Sequence, residues 1–162
     1  MAQMPPKPDF MEEAAWEMLM AARNPQIIRA SSQGHTKMYI EKNGGEGTDI
    51  AQGGPTCLVT TVGNKSSRER TSPVNYMQDG DIVYIVGSIA GLDHHPHWVL
   101  NLDADSRSWI QVHEKKWETK ARKIVGEERG KLWPRLVDHF PLWGHFQKYC
   151  EREFAVFEMN PA

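Results

Sequence analysis

The stretch Val74-Asn75-Tyr76-Met77-Gln78-Asp79-Gly80-Asp81-Ile82-Val83-Tyr84-Ile85-Val86-Gly87-Ser88 sets an Asp-Gly pair between two extended runs. Aspartate and glycine tolerate the backbone of a tight turn, so the pattern predicts a hairpin with strands at 74–78 and 82–88, turning at Asp79-Gly80. Working outward, Thr56–Val62 is an apolar, β-branched run that stops at Gly63. A second hairpin is predicted from 108–113 and 117–125 around Glu114-Lys115-Lys116, with further strands at 37–41 and 154–157. About six short strands with hairpin turns and few helices point to a small, mainly β (α+β) barrel with helices on its rim. The strands do not alternate with crossover helices and carry no glycine fingerprint, which argues against a parallel nucleotide-binding sheet.

The helices come from other signals. Asp9 is placed to cap a helix over 10–23, which carries Phe10, Met11, Trp16, Leu19 and Met20. Packing against the domain is the favoured account of that apolar set. Contact with a membrane or with a greasy pocket is the alternative, and Glu12, Glu13 and Glu17 weigh against an anionic membrane. Pro96 introduces a short helix at His97–Ala104, and further helices are predicted over 127–139 and 141–150. Residues 1–8, with three prolines, read as a flexible lead-in, and 9–162 as one domain.

A formal net charge of -2 supplies no global basic field, so nucleic acid is not an expected partner. Cys57 and Cys150 fit no metal or redox spacing, and Cys57 reads as a small buried hydrophobe. No leader and no membrane-length apolar run is visible, so a cytoplasmic protein is expected. His94-His95-Pro96-His97 lacks a partner cluster of ligands, and no metal is expected. Lys115, Lys116, Lys120, Arg122 and Lys123 read as a solvated face.

Positive charge is otherwise local. Gly63-Asn64-Lys65-Ser66-Ser67-Arg68-Glu69-Arg70 follows a strand with cations, hydroxyls and backbone amides together. Those groups suit a phosphate or carboxylate, although a solvated turn has the same composition.

In order, the chain then presents Thr60-Thr61-x-Gly63-x-Lys65-Ser66, Arg70, Pro73 and Tyr76, followed by Asp79-Gly80 and Ser88-x-x-Gly91. His95-Pro96-x-Trp98-x-x-Asn101-Leu102-x-Ala104, Glu127-Glu128-Arg129, Leu132-Trp133-Pro134, Pro141 and Arg152 complete the series. Over about residues 54–160 this resembles the deazaflavin (F420)-dependent nitroreductase family of split β-barrel oxidoreductases. The resemblance implies a split barrel of six to seven strands and hydride transfer from reduced coenzyme F420. The acceptor would be an electron-poor enone, lactone, quinone or nitroaromatic. It implies that Lys65, Ser66, Arg70 and Thr71 hold the coenzyme's phosphate and acidic tail, with Pro73 stiffening the loop's exit. Val86, Gly87, Ser88 and Ile89 would meet the deazaflavin ring, with His97, Trp98 and Asn101 on its far side. Gly87 would let the ring approach the backbone closely.

Trp143 and Phe146 would line the substrate pocket. Ser88 and Tyr76 are the first candidates for a proton donor or polarising group, with His97, His145 and solvent behind them. Asn64 and Ile89 depart from the family pattern, where arginine and lysine are usual. Those departures and the greasy first helix leave one rival, a non-catalytic carrier or sensor for deazaflavin, quinone or lipid; a second, an FMN-dependent reductase on the same barrel, follows because a basic loop accepts FMN's phosphate too. Either a monomer or a homodimer is compatible with the sequence.

Overall fold

The computed structural model describes residues 4–162. Six antiparallel strands close into a barrel in the order β1-β2-β3-β6-β5-β4. They are β1 (Thr56–Val62), β2 (Glu69–Asp79), β3 (Ile82–Val86), β4 (Arg107–Val112), β5 (Lys115–Ile124) and β6 (Val156–Pro161). Five α-helices surround them: α1 (Glu13–Ala21), α2 (Pro25–Glu41), α3 (His97–Ala104), α4 (Gly126–His139) and α5 (Pro141–Lys148).

The β2–β3 hairpin forms with its turn one residue later than expected, at Gly80-Asp81. Asp79 pairs with Ile82, and Gly80 takes φ +60° as the first loop residue, a conformation that favours glycine. The second hairpin turns one residue earlier than expected. Val112 pairs with Lys115, and His113 holds φ +52° at the tip. Its ring Nδ1 lies 2.8 Å from the Gly44 carbonyl and its amide donates to the Tyr39 hydroxyl at 2.8 Å, so α2 and the following loop set that turn.

Several expected elements are corrected. Residues 37–41 are the last turns of α2 and not a strand. Asn24 caps that helix by accepting from the amides of Gln26 and Ile27, and Pro25 opens it. Only Tyr39 is fully withdrawn from solvent on α2, which leaves little apolar periodicity to read. The first helix starts at Glu13, with Glu12 and not Asp9 at its N-cap. β3 stops at Val86, before Gly87 and Ser88, and the last strand is displaced to Val156–Pro161. β2 begins at Glu69, so Arg70, Thr71 and Pro73 belong to a strand and not to a loop. Of the lead-in, residues 1–3 lie outside the described residues. Pro5 and Pro8 are buried, and His145 Nε2 sits 2.7 Å from the Pro6 carbonyl.

Two apolar clusters hold the fold. One fills the barrel and includes Cys57, Val59, Val83, Ile85, Trp98, Ile110, Phe157 and Met159. The other lies between the barrel wall and the helices, joining Trp16 of α1 to Leu136, Phe140, Leu142, Trp143, Phe146 and Phe154. Cys57 is fully buried, as its apolar setting suggested, and burial pushes its thiol well above the ordinary range. α1 packs by Trp16, yet Phe10 and Met18 remain 55% and 76% exposed. No helix among the described residues is long and apolar enough to cross a membrane.

Tyr39 ties α2 to two strands. It is fully buried, donates to the Thr56 carbonyl at 3.0 Å and accepts from the His113 amide. Burial pushes its phenol up to about 12 from an ordinary 10.0. The neutral form is favoured in the folded state, so this contribution is complete below pH 10 and is lost as pH rises from about 10 to about 12. The loss amounts to on the order of 2–3 kcal/mol. Tyr39→Phe should cost about 1–3 kcal/mol at pH 7, because two buried backbone groups lose their partner, and should flatten the alkaline decline. Urea unfolding at pH 7 and pH 11 measures both.

Candidate functional site

Strand direction assembles the site. β1 and β3 run the same way, and β2, β4 and β6 run against them. The exits of β1 and β3, the start of β4 and the start of β6 therefore share one barrel end. That end carries the Gly63–Arg68 loop, the segment after Gly87, and α3.

The loop is a compact turn. Gly63 donates to the Arg68 carbonyl at 2.8 Å and Ser67 donates to the Gly63 carbonyl at 2.8 Å. Ser67 sits at φ +57°, and the Ser66 hydroxyl accepts from the Arg68 amide at 3.2 Å. A Cβ on Gly63 would lie 2.5 Å from Ser66 Oγ, so a side chain there would push that hydroxyl aside. Lys65, Arg68 and Arg70 are exposed and form no ion pair among the described residues. By contrast, Arg107, Arg122 and Lys123 each meet a carboxylate within 2.6–2.9 Å.

α3 fastens the loop. The buried Asn101 accepts from the Asn64 amide at 3.0 Å and donates to Thr61 Oγ1 at 3.0 Å. Asn101 was expected to line a coenzyme ring; its amide is instead engaged on both sides and positions the loop. Trp98 is also corrected. It is 6% exposed and meets Phe157 edge-on at 6.0 Å inside the barrel, which leaves its face unavailable to a ligand. His97, in the first turn of α3, is exposed at the same end.

The segment 87–92 is the most constrained backbone at this end. Gly87 donates to the Ala155 carbonyl at 2.8 Å, extending the ladder one residue beyond β3. A Cβ there would lie 2.7 Å from Val99 Cγ2, so glycine at 87 lets strand and helix pack closely. Ile89, Ala90 and Gly91 follow with φ of +42°, +52° and +70°. A β-branched residue in that region is costly, at about 1–3 kcal/mol, and persists only where the surroundings enforce it.

Two arginines provide the enforcement. Arg152 donates to the carbonyls of Gly87, Ser88 and Leu92 at 2.9, 2.7 and 2.8 Å. Arg23 donates to the carbonyls of Ala90 and Gly91 at 2.8 and 2.9 Å. Partial burial draws both guanidinium pKa values down, and both remain cations. Arg152 belonged to the sequence resemblance without a role. Arg23 carried no sequence signal, because its partners lie more than sixty positions away.

Other expected site residues separate from this cluster. Trp143 and Phe146 are each 1% exposed and belong to the core between helices and barrel, so they do not line an open pocket. Phe146 stacks on Trp16 at 6.0 Å and lies against Gly91, which brings α1 up behind the 87–92 segment. Tyr76 pairs with Ile85 on β3, three positions before Ser88, and burial raises its pKa. Thr71 and Pro73 sit on the wall opposite Thr60 and Leu58. Thr71 bonds Thr60 at 2.8 Å and borders an outer groove of about 480 Å³ lined by Ile40, Trp109 and Trp117.

No group of three or more His, Cys, Asp or Glu side chains converges among the described residues. His95 has a buried Nδ1 without a partner, and burial, with the Arg152 charge next, lowers its pKa and favours the neutral ring.

An anionic, flat coenzyme fits this end in two respects. Cations without an ion pair among the described residues are available, and beside them lies a backbone segment held in a fixed, unusual shape. It does not fit through Trp98, Trp143 or Phe146.

Comparison with known proteins agrees. The model of the F420H(2)-dependent quinone reductase family matches residues 31–161. The F420H(2)-dependent quinone reductase Rv1261c of Mycobacterium tuberculosis is 34% identical over 109 residues, covering 67% of this chain and 68% of that protein. A solved structure described as an F420-H2 dependent reductase (FDR-A) superposes with a TM-score of 0.61 at 30% identity, covering 65% of this chain and 94% of that one. A second, described as a domain-swapped dimer, gives 0.63 at 27% identity, covering 77% and 94%. With a matching model over most of its length, this chain belongs to the F420H(2)-dependent quinone reductase family.

Proposed function

We propose that this chain is an F420H2-dependent reductase that passes hydride to a planar, electron-poor acceptor of the quinone class. The observation that carries the reading is the set of unpaired cations, Lys65, Arg68 and Arg70, at the same barrel end as the rigid 87–92 segment. Reduced deazaflavin supplies the hydride when bound.

The chain's own part is binding, orientation and exclusion of water. Lys65 and Arg70, with Arg68 in place of the cation missing at Asn64, take the phosphate and acidic tail. Ser66 adds a hydroxyl, and Asn101 and Gly63 keep the loop in shape. Ile89, half-buried, offers the backbone against which the ring lies, with the buried Val86 and Ser88 behind it and His97 exposed beside it. Of the two candidate proton donors, Ser88 stands on that segment, and Tyr76 lies on the neighbouring strand opposite Ile85. A homodimer has support from the domain-swapped relative.

The test is to mix purified protein with F420H2 and a panel of quinones, enones and nitroaromatics, and to follow the return of oxidised-coenzyme absorbance. Turnover with a naphthoquinone above the uncatalysed rate is expected. Tight F420 binding with no turnover across the panel would favour a carrier. Preferential binding of FMN would favour the third reading.

A further inference from the structure

Residues 87–92 are held from both sides by groups of different origin. Arg152, preceding β6 and within the family-matched region, grips the carbonyls of Gly87, Ser88 and Leu92. Arg23 lies between α1 and α2, outside the matched residues 31–161, and grips the two carbonyls in between, Ala90 and Gly91. The residues it holds are the left-handed ones, and Ile89 beside them is a poor occupant of that conformation. Phe146 presses on Gly91 from the other side, where a Cβ would sit 3.1 Å from its ring, and Trp16 of α1 stacks on Phe146. The N-terminal segment thus reaches the strained backbone twice, once through a guanidinium fork and once through an aromatic stack.

We propose that Arg23 is a positioning residue for coenzyme binding: its two-pronged bond to Ala90 and Gly91 sets the backbone on which the deazaflavin ring rests. This rests on the reading that 86–89 meets that ring. A guanidinium suits the task because its planar fork meets two successive carbonyls at once, which a lysine ammonium on a flexible stem cannot reproduce. Arg23 acts through the strap and has no role in the chemistry itself.

The experiment compares wild type, Arg23→Gln and Arg23→Lys in two measurements: F420 titration by fluorescence, and amide hydrogen exchange. Gly91 and Leu92 report on the strap, because their amides bond the Ser88 and Ile89 carbonyls at 2.9 and 3.1 Å. Arg23→Gln should weaken F420 binding roughly ten-fold and speed exchange at Gly91 and Leu92 by a similar factor, while β4 and β5 exchange as before. Arg23→Lys should resemble Arg23→Gln. If lysine restores binding fully, charge and not the fork is what matters, and the proposal is overturned. It is also overturned if wild type binds F420 and Arg23→Gln changes neither quantity. Failure of wild type to bind F420 at all would remove the functional reading itself, and the proposal with it.

Discussion

Arg152→Met should lower the free energy of unfolding by about 3–5 kcal/mol, one of the two largest effects expected in this chain. The side chain is half-buried and serves three carbonyls on a segment whose backbone is already strained. Methionine keeps an apolar stem of similar length but leaves those carbonyls without a donor and removes the guanidinium that lies 4.8 Å over the Phe154 ring. The check is a urea titration with the transition midpoint shifted and the slope unchanged. Arg107→Met is the comparison. Its bonds to Asp105 are short but solvent-exposed, so its loss should leave the transition midpoint nearly unchanged. Equal, small effects in both variants would show that the 87–92 segment needs no clamp.

The paired substitution Lys65→Ala/Arg70→Ala should weaken F420 binding by two to three orders of magnitude, about 3–4 kcal/mol for two charge-assisted contacts. Stability should stay within about 0.5 kcal/mol of wild type, because neither side chain has a partner to lose. Added salt should weaken coenzyme binding by wild type and have much less effect on the variant, since the screened attraction is the one removed. Titrations at low and high ionic strength measure both expectations. An unchanged affinity would move the acidic tail away from this loop. Arg68 offers an internal check: if it compensates for Asn64, its removal from the paired variant should reduce binding further.

How much of this was readable beforehand differs by element. Gly80 and the β-branched run of β1 specify local backbone shape: the strand formed as expected, and the hairpin formed with its turn shifted one residue, to Gly80-Asp81. The stretch 37–41 misled because Met38, Tyr39 and Ile40 look like strand residues, while the signal that governs them, Asn24 with Pro25, lies thirteen positions upstream. Lys65, Ser66 and Arg70 did gather at one barrel end with Ser88 and His97, as the ordered resemblance implied. Trp98, Trp143 and Phe146 did not present themselves to a ligand. An aromatic side chain has the same composition whether it faces a pocket or a core, and only packing against Phe157, Phe140 or Trp16 distinguishes the two.

Residue order alone carried the antiparallel barrel, the turn chemistry and the cation-rich loop, because each depends on neighbours a few positions apart. The closure of the barrel, the left-handed run at Ile89–Gly91 and the two arginines gripping it arose from contacts between segments some sixty positions distant. A guanidinium finds its carbonyls only after the strands have brought them within 3 Å, and no local pattern encodes that meeting.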